Sequence, residues 1–303
     1  MLPHLTFGVA TRITRSTPRN RSSMLPFAKM NGAGNAILVV DERGHVPVVT
    51  GEMARLTGAG RLGFDQMMVL SDAARPGVDA TVRIYNTDGS RAGACGNGTR
   101  CVAWVMLETS DADRVVVDVD GQDLPCRRHS PTTFTVDMGP PRLDWRDIPL
   151  REAADTRAVD LGPDLRRFGL QPPMAVSMGN PHAVFFVPSA RDIDLAQAGA
   201  HFEHHSMFPD RANIGFAEVE ARDRILLRVW ERGAGATLAC GSAACAALVA
   251  AARSGRTVRH AEIELPGGTL TVEWREADDH VLMTGPVELE ERGSLETAAL
   301  VAA

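Results

Sequence analysis

Short runs of β-branched or alternating apolar residues recur along the chain, and turn residues separate them. Runs of this kind predict strands. In the first half they predict strands at Ile37–Asp41, Gln66–Leu70, Thr81–Asn86, Arg114–Val119 and Thr133–Met138. In the second half they predict strands at His182–Val187, Phe216–Glu220, Ile225–Trp230, Ala261–Leu265 and Thr269–Trp274.

Two longer apolar runs predict one helix in each half, Asn97–Leu107 and Ser242–Ala252. A helix that is apolar on all its faces is buried on all its faces. One buried helix among many strands predicts an α+β fold of two pseudo-symmetric domains, each a mixed or antiparallel sheet curled around a central buried helix. The charged stretch Asp144–Leu170 is helix-prone and is predicted to lie at the periphery.

A five-residue motif occurs twice, as ACGNG at Ala94–Gly98 and as ACGSA at Ala239–Ala243, with its cysteines 145 residues apart. The same offset relates two further pairs of segments, Gly34-Asn35 with Gly179-Asn180 and Arg83–Asn86 with Arg228–Glu231. Three landmarks with one spacing indicate two structural copies of one unit. Each copy presents one cysteine at the start of its helix.

The Gly139-Pro140-Pro141 break is the predicted boundary between the copies. We expect an N-terminal domain at 24–138, completed by 286–303, and a C-terminal domain at 139–285. Residues 1–23 differ from the rest, with four arginines, seven serines and threonines and no acidic residue. This composition overlaps with that of transit peptides. The interpretation we favour is a disordered extension or a chain whose true start is Met24.

Composition excludes several classes of function. The chain has a net charge of −6 and no dominant basic patch, which argues against a nucleic-acid partner. Five cysteines argue against a disulfide framework and fit a reducing cytoplasm, the predicted location. No apolar run reaches the roughly 18 residues of a membrane span, so no membrane partner is expected. The spacings Cys95 to Cys101 and Cys240 to Cys245 do not match zinc ligand pairs, and no metal is predicted.

The two motif cysteines have a chemical interpretation. A cysteine in the first turn of a helix lies beside backbone N–H groups that favour the thiolate, so Cys95 and Cys240 are predicted to be competent bases. The same N–H groups can hold a carboxylate, and the adjacent glycines let a ligand approach closely. If the two copies face each other, one thiolate can remove a proton from a carbon while the opposite thiol delivers one. A lone cysteine is more often structural, but the paired motifs favour this inversion of a stereocentre.

Polar residues accompany the cysteine motifs in sequence. Taken singly, each is an ordinary turn residue. Together they suit a zwitterionic amino acid, with Arg232 for its carboxylate, Glu231 for its ammonium group, and asparagine and glutamine side chains for either. The sequence contains no convincing phosphate loop, so no cofactor is expected.

At these residues the chain resembles the diaminopimelate epimerases, which work without pyridoxal phosphate. The resemblance extends from about Phe27 to Gly285 and is carried by the segments ACGNGTRC, SMGNPH and WERGAGATLACGSAAC. It implies two pseudo-symmetric α/β domains, a homodimer, and conversion of LL-2,6-diaminopimelate to the meso form in lysine and peptidoglycan synthesis.

The resemblance also implies residue roles. Cys95 and Cys240 match the catalytic cysteines, and His182 and Glu231 resemble the residues that tune their pKa values. The positions that match substrate-binding residues are Asn35, Gln66, Asn86, Gly96, Asn97, Asn180, Asn213, Glu231, Arg232, Gly241 and Ser242. The chain departs from the family's usual pattern at Asn31, Ala36-Ile37 and Ala243, none of which is a matched contact residue.

Two alternatives stay open at this point. One is a related cofactor-independent racemase of proline, hydroxyproline or another amino acid. Glu231-Arg232 and the asparagine set favour a substrate with a second amino-carboxylate group over these smaller ones. The other alternative is a thiol redox sensor or amino-acid-binding protein, which turnover of a chiral substrate would exclude.

Overall fold

The computed structural model describes residues 24–93 and 95–296, where 17 strands and five helices follow one another. The prediction for residues 1–23 lies outside the described residues, and so does the end of the 286–303 segment. Strand residues outnumber helical residues in the described chain, and the predicted α+β class is confirmed.

The elements form two similar series. The first contains β1 Met24–Gly32, β2 Asn35–Asp41, α1 Gly51–Gly58, β3 Gln66–Asp72, β4 Ala80–Asn86, β5 Arg91–Ala92, α2 Gly96–Leu107, β6 Arg114–Val119, β7 Gln122–Ser130 and β8 Thr133–Asp137. The second contains α3 Pro163–Phe168, β9 Met174–Ser177, β10 Pro181–Phe186, α4 Leu195–Glu203, β11 Asn213–Ala221, β12 Arg224–Glu231, β13 Gly235–Thr237, α5 Gly241–Arg253, β14 His260–Leu265, β15 Gly268–Trp274 and β16 Val281–Pro286. A final strand, β17 Glu288–Glu296, follows. All ten predicted strands and both central helices are present, with some ends shifted.

Strand pairing repeats between the two series. In the first, β2 pairs parallel with β3, β3 antiparallel with β4, and β4 parallel with β6. In the second, β10, β11, β12 and β14 pair in the same order and directions. The turns before the repeated asparagines also match, because Gly34 and Gly179 have φ values of 94° and 92°. The sequence repeat is therefore a repeat of structure.

Strands β8 and β16 join the two series. They pair antiparallel, with Val136 opposite Met283, and Met283 also lies opposite Val272 of β15. The last strand, β17, pairs antiparallel with β1 along most of its length. The predicted assignment of residues 286–303 to the N-terminal domain depends on this pairing. The domain boundary at residue 139 stays a prediction.

The two central helices differ in how completely they are enclosed. In α5, every residue from Gly241 to Ala251 is buried, because alanine favours helix and lets the surrounding strands approach closely. In α2 the side chains of Trp104, Val105 and Met106 are only partly buried. Burial on all faces is thus confirmed for α5, whereas α2 exposes part of one side.

The predicted peripheral helix at Asp144–Leu170 is wrong in its main part. Only Pro163–Phe168 is helical, and this short helix begins after Gly162 and ends at left-handed Gly169. The rest is turns whose apolar side chains enter a second core around Phe185, Phe202 and Phe216. Because Ile148, Leu150, Val159 and Leu161 are buried there, the stretch covers one side of the second series.

Candidate active site

Each predicted cysteine occupies the N-cap position of its central helix. The backbone of Cys95 is extended, at φ −154°, and its sulfur accepts a hydrogen bond from the N–H of Gly98 at 3.2 Å. Cys240 is also extended, at φ −137°, and its sulfur lies 3.5 Å from the hydroxyl oxygen of Ser242. Cys95 is half-buried and Cys240 is buried. Both thiols are free.

The two helix starts meet across the side chain of Met283. A methyl group placed on Gly96 would come within 2.5 Å of the Met283 Cε atom. One placed on Gly241 would come within 2.7 Å of the Met283 sulfur and 3.2 Å of the Asn97 Oδ1 atom. The first residues of α2 and α5 are therefore in contact through one buried side chain, and glycine at both positions permits it.

The predicted direction of the cysteine pKa shifts is wrong. Burial raises the pKa of Cys95 to about 12, although the Gly98 N–H acts in the opposite direction. Burial also raises the pKa of Cys240 well above its usual value, and the Glu231 carboxylate raises it further. Loss of solvation disfavours the thiolate more than the helix N-terminus favours it. The sequence shows that each cysteine begins a helix, but not how deeply its sulfur is buried.

Glu231 connects the two cysteines electrostatically, since its charge raises the pKa of both thiols. It lies within hydrogen-bonding reach of the Cys240 thiol and accepts a 2.6 Å hydrogen bond from the Thr237 hydroxyl. Burial raises the pKa of Glu231 itself, while its bonds to Thr237 and Cys240 lower it. One carboxylate therefore opposes ionisation of both thiols.

Two pairs of predicted binding residues form in the first series. Asn97 donates to the Asn35 Oδ1 atom at 2.5 Å, and Asn35 donates to Asp65 at 3.4 Å. Asn97 is buried, and its Oδ1 atom has no hydrogen-bond partner among the described residues. The second pair is Gln66, which donates to Asn86 at 3.3 Å. An orphaned buried acceptor next to Gly241 is available to a ligand donor.

A chain of side-chain contacts leads from His182 to Cys240. The His182 Nε2 atom lies 2.9 Å from the Asn180 Oδ1 atom, and Asn180 donates to the Ser242 hydroxyl at 3.3 Å. Ser242 in turn contacts Cys240. Burial and, to a lesser extent, the Arg232 charge together lower the pKa of His182 to about 3, so the imidazole is neutral and donates from Nε2.

Asn213 and Arg232 are joined through the backbone. The N–H of Arg232 donates to the Asn213 Oδ1 atom at 2.9 Å, and Asn213 donates to the carbonyl of Pro181 at 3.1 Å. The guanidinium of Arg232 donates to the Asp210 carbonyl at 3.0 Å. It lines an open depression of about 360 Å³ that also contains the side chains of Arg142 and Arg146. Three arginines and two aspartates, Asp147 and Asp210, therefore line this depression.

Sequence reasoning gave no role to three residues of the site. Asp65 was recognisable only as a neighbour of Gln66, and Thr237 only as part of the segment leading to Cys240. Met283 carries no chemical signal, because an apolar residue in a strand predicts core. Between residues 24 and 296, leaving out 94, no group of three or more His, Cys, Asp or Glu side chains is placed to hold a metal ion. No helix in the same region is long and apolar enough to cross a membrane.

Solved structures of epimerases and racemases share this architecture. A predicted epimerase from Pseudomonas aeruginosa matches with a TM-score of 0.68 at 18% identity, over 89% of this chain and 99% of its own. A hydroxyproline epimerase from Agrobacterium vitis matches with a TM-score of 0.64 at 13% identity, over 90% and 92%. Identities this low show the fold alone, which is that of the two-domain epimerases.

Sequence comparison identifies the family within this class. The family model "Diaminopimelate epimerase" matches residues 27–143 and 174–290, once in each series. The diaminopimelate epimerase of Methylocella silvestris is 53% identical over 278 residues, covering 89% of this chain and 94% of the relative. That of Methylobacterium sp. strain 4-46 is 54% identical over 286 residues, covering 91% and 97%. The chain belongs to the diaminopimelate epimerase family and is an isomerase.

Proposed function

We propose that the protein interconverts LL-2,6-diaminopimelate and meso-diaminopimelate by a two-base mechanism in which Cys95 and Cys240 exchange one proton each with the substrate. The observation that supports this most directly is the contact of the two cysteine-capped helix starts through Met283. A substrate α-carbon that binds beside both helix starts has one sulfur on each face.

The proton transfers balance without a further reagent. One cysteine thiolate takes the proton from the substrate α-carbon, and the electron pair of that C–H bond is delocalised into the adjacent carboxylate. The opposite cysteine, as the thiol, then protonates the carbon from the other face and becomes the thiolate. The backbone N–H groups at Gly96, Asn97, Gly241 and Ser242 stabilise the charge that accumulates on the carboxylate oxygens.

The remaining polar groups supply recognition of an amino acid with two amino-carboxylate ends. We assign the ammonium group at the reacting carbon to the orphaned Oδ1 atom of Asn97 and to Glu231. We assign the distal amino-carboxylate to Arg232 with Asn86, Asn180 and Asn213. Arg232 suits a carboxylate, because its guanidinium can donate two parallel hydrogen bonds. Gln66 supports Asn86 through its 3.3 Å hydrogen bond.

Cysteine substitution tests the proposal. Cys95→Ala and Cys240→Ala should each abolish turnover of LL-diaminopimelate, because each removes the base in one direction and the acid in the other. Cys245→Ala, on the same helix as Cys240 and buried, is the matched control and should retain activity. Wild-type product formed in D2O should carry solvent deuterium at the inverted carbon. Substantial turnover by either single mutant would refute the two-base mechanism.

The proposal extends to assembly and location. We propose that the enzyme works as a homodimer in the cytoplasm, as implied by its family resemblance and its unpaired cysteines. Light scattering of the purified full chain at working concentration tests the first part. A monomer with full activity would contradict it.

A further inference from the structure

Glu203 is a buried carboxylate at a position where its own helix does not favour one. It is the last residue of α4, and its side chain is 5% exposed. A negative charge in the last turn of a helix faces the negative end of the helix dipole. Burying a carboxylate is unfavourable unless it is paired and hydrogen-bonded. The stabilisation of this residue therefore depends on the groups that it contacts.

The contacts of Glu203 lie on both sides of the Glu231-Arg232 pair. Its Oε2 atom accepts a hydrogen bond from the indole Nε1 of Trp230 at 2.7 Å. Its Oε1 atom accepts one from the backbone N–H of Gly233 at 2.8 Å. Residues 230 and 233 immediately precede and follow the pair in the sequence. One carboxylate thus spans the segment that carries two of the proposed site residues.

The main chain of Arg232 is held on both sides. Its own N–H donates to the Asn213 Oδ1 atom at 2.9 Å, and the N–H of the next residue, Gly233, donates to Glu203. The two peptide groups that flank the Arg232 Cα atom are therefore both fixed by side chains from outside the β12–β13 turn. Asn213 already has a proposed role in the site, whereas Glu203 has none.

A third donor extends this support to the neighbouring loop. The Nη1 atom of Arg211 donates to the Glu203 Oε1 atom at 3.3 Å. The residue before it, Asp210, supplies the carbonyl that accepts a 3.0 Å hydrogen bond from the Arg232 guanidinium. Glu203 therefore contacts the turn that carries Arg232 and the loop to which the Arg232 side chain is bound.

Glu231 has supports of its own. Its carboxylate accepts a 2.6 Å hydrogen bond from the Thr237 hydroxyl, and its backbone lies opposite Gly235 in the β12–β13 pair. Loss of the Glu203 contacts should consequently displace Arg232 more than Glu231.

We propose that Glu203 is a positioning residue for Arg232, which it holds in place for the distal carboxylate of the substrate by bridging Trp230 and Gly233. The inference rests on the proposed function and deepens it, since it names what fixes the residue assigned to that carboxylate. Both oxygen atoms of Glu203 are occupied by protein donors and its side chain is buried, so it acts through Arg232 and not by contact with substrate.

Steady-state kinetics of Glu203→Gln with LL-diaminopimelate test this role. Glutamine has nearly the same shape, but it has one acceptor oxygen and its amide NH2 would face a donor. The KM should rise about tenfold or more, the factor that one charge-assisted hydrogen bond is worth, while kcat changes much less. A purely structural role would lower the active fraction, and with it the apparent kcat, at an unchanged KM. That result would overturn the proposal.

Combination with Arg232→Met separates positioning from general support. If Glu203 acts through Arg232, adding Glu203→Gln to Arg232→Met should raise KM by no more than about twofold further. The same rise in KM in both backgrounds would mean that Glu203 acts independently of Arg232, and the proposal would be wrong.

Glu42→Gln is the matched control. Glu42 is also a buried carboxylate, paired with Arg83 and accepting from the N–H of Val49, but these contacts lie in the first series. This variant should lower the melting temperature and leave KM unchanged. A rise in KM equal to that of Glu203→Gln would show that loss of any buried carboxylate has this effect, which would refute the specific role.

Amide hydrogen exchange of the full wild-type chain, followed by NMR, requires neither a folded variant nor turnover. Gly233 lies in an exposed turn, yet its N–H should exchange slowly, because its acceptor is a buried carboxylate. Rapid exchange would overturn the proposal even if no Glu203 variant folds. If the protein fails to epimerise diaminopimelate, the proposed function falls while exchange still decides whether Glu203 holds the turn. If wild-type turnover is normal and KM does not respond to Glu203→Gln, only the role of Glu203 falls.

Discussion

The neutral, buried state of His182 predicts a specific acid sensitivity. Its side chain is 1% exposed, and burial lowers its pKa from 6.5 to about 3. On acidification the unfolded chain takes up a proton at this position and the folded protein does not. The stability linked to His182 is therefore complete above about pH 6.5 and is lost progressively as the pH falls toward 3.

The size of the effect follows from the two pKa values. A pH of about 5 is roughly 1.5 units below the pKa of an unfolded histidine. This residue is therefore mostly protonated in the unfolded chain, whereas folded His182 is still neutral. Each pH unit corresponds to about 1.4 kcal/mol. His182 should therefore lower the free energy of unfolding by about 2 kcal/mol between about pH 8 and about pH 5. Most carboxylates stay ionised over that range.

Urea unfolding of wild type and His182→Gln across the same pH range measures this difference. Glutamine keeps an N–H donor for Asn180 but cannot be protonated, so the stability gap between wild type and variant should narrow, or reverse, as the pH falls. His204→Gln replaces an exposed histidine and provides the baseline for the substitution itself. A gap that stays constant from about pH 8 to about pH 5 would show that folded His182 takes up its proton like an unfolded histidine.

Three further predictions follow from the site. Gly241→Ala should destabilise the protein by roughly 1–3 kcal/mol in urea unfolding and raise KM, because the added methyl group would lie 2.7 Å from the Met283 sulfur. An unchanged stability and KM would show that Met283 moves aside freely. The kcat/KM for lysine should be at least about 100-fold lower than that for LL-diaminopimelate, since roughly 1–3 kcal/mol is lost for each buried polar group left unpaired. Arg232→Met should remove most of that preference. Equal turnover of lysine, proline or hydroxyproline would instead favour another amino-acid racemase. Mild oxidant should inactivate the enzyme by joining Cys95 to Cys240, and dithiothreitol should restore it; inactive protein whose peptide map lacks that link would contradict this.

The strands predicted from sequence were those with strong apolar patterns, and the missed ones show what pattern leaves out. Strand β7 contains Pro125 and several charged residues, and β17 reads as a polar segment. Both are strands because partner strands hold them. Strand β17 pairs with β1, which is distant in sequence, and β7 forms hairpins with its neighbours β6 and β8. The prediction for Asp144–Leu170 failed in the opposite way, since it assigned regular structure where most of the segment has none. Burial of the apolar side chains of this segment overrode its helix propensity.

The candidate site also has features that the sequence reveals and features that only the structure shows. The repeated motif and its cysteines were visible in the sequence, since both depend on residue type and spacing. The direction of the cysteine pKa shifts was not, because desolvation depends on everything that surrounds the sulfur atoms. The route from His182 through Asn180 and Ser242 to Cys240 also required coordinates, as it joins side chains on two separate elements.

The position of Met283 determines how the separation between the two proposed catalytic residues is maintained. This side chain separates the starts of α2 and α5, and its backbone is paired on one side with Val136 of the first series and on the other with Val272 of the second. Slippage of that ladder by one residue would turn the methionine to the opposite face of the sheet. The spacing of the two helix starts is thus set by strand register and not by a flexible loop, so the separation of the proposed acid and base is built into the fold before a substrate binds.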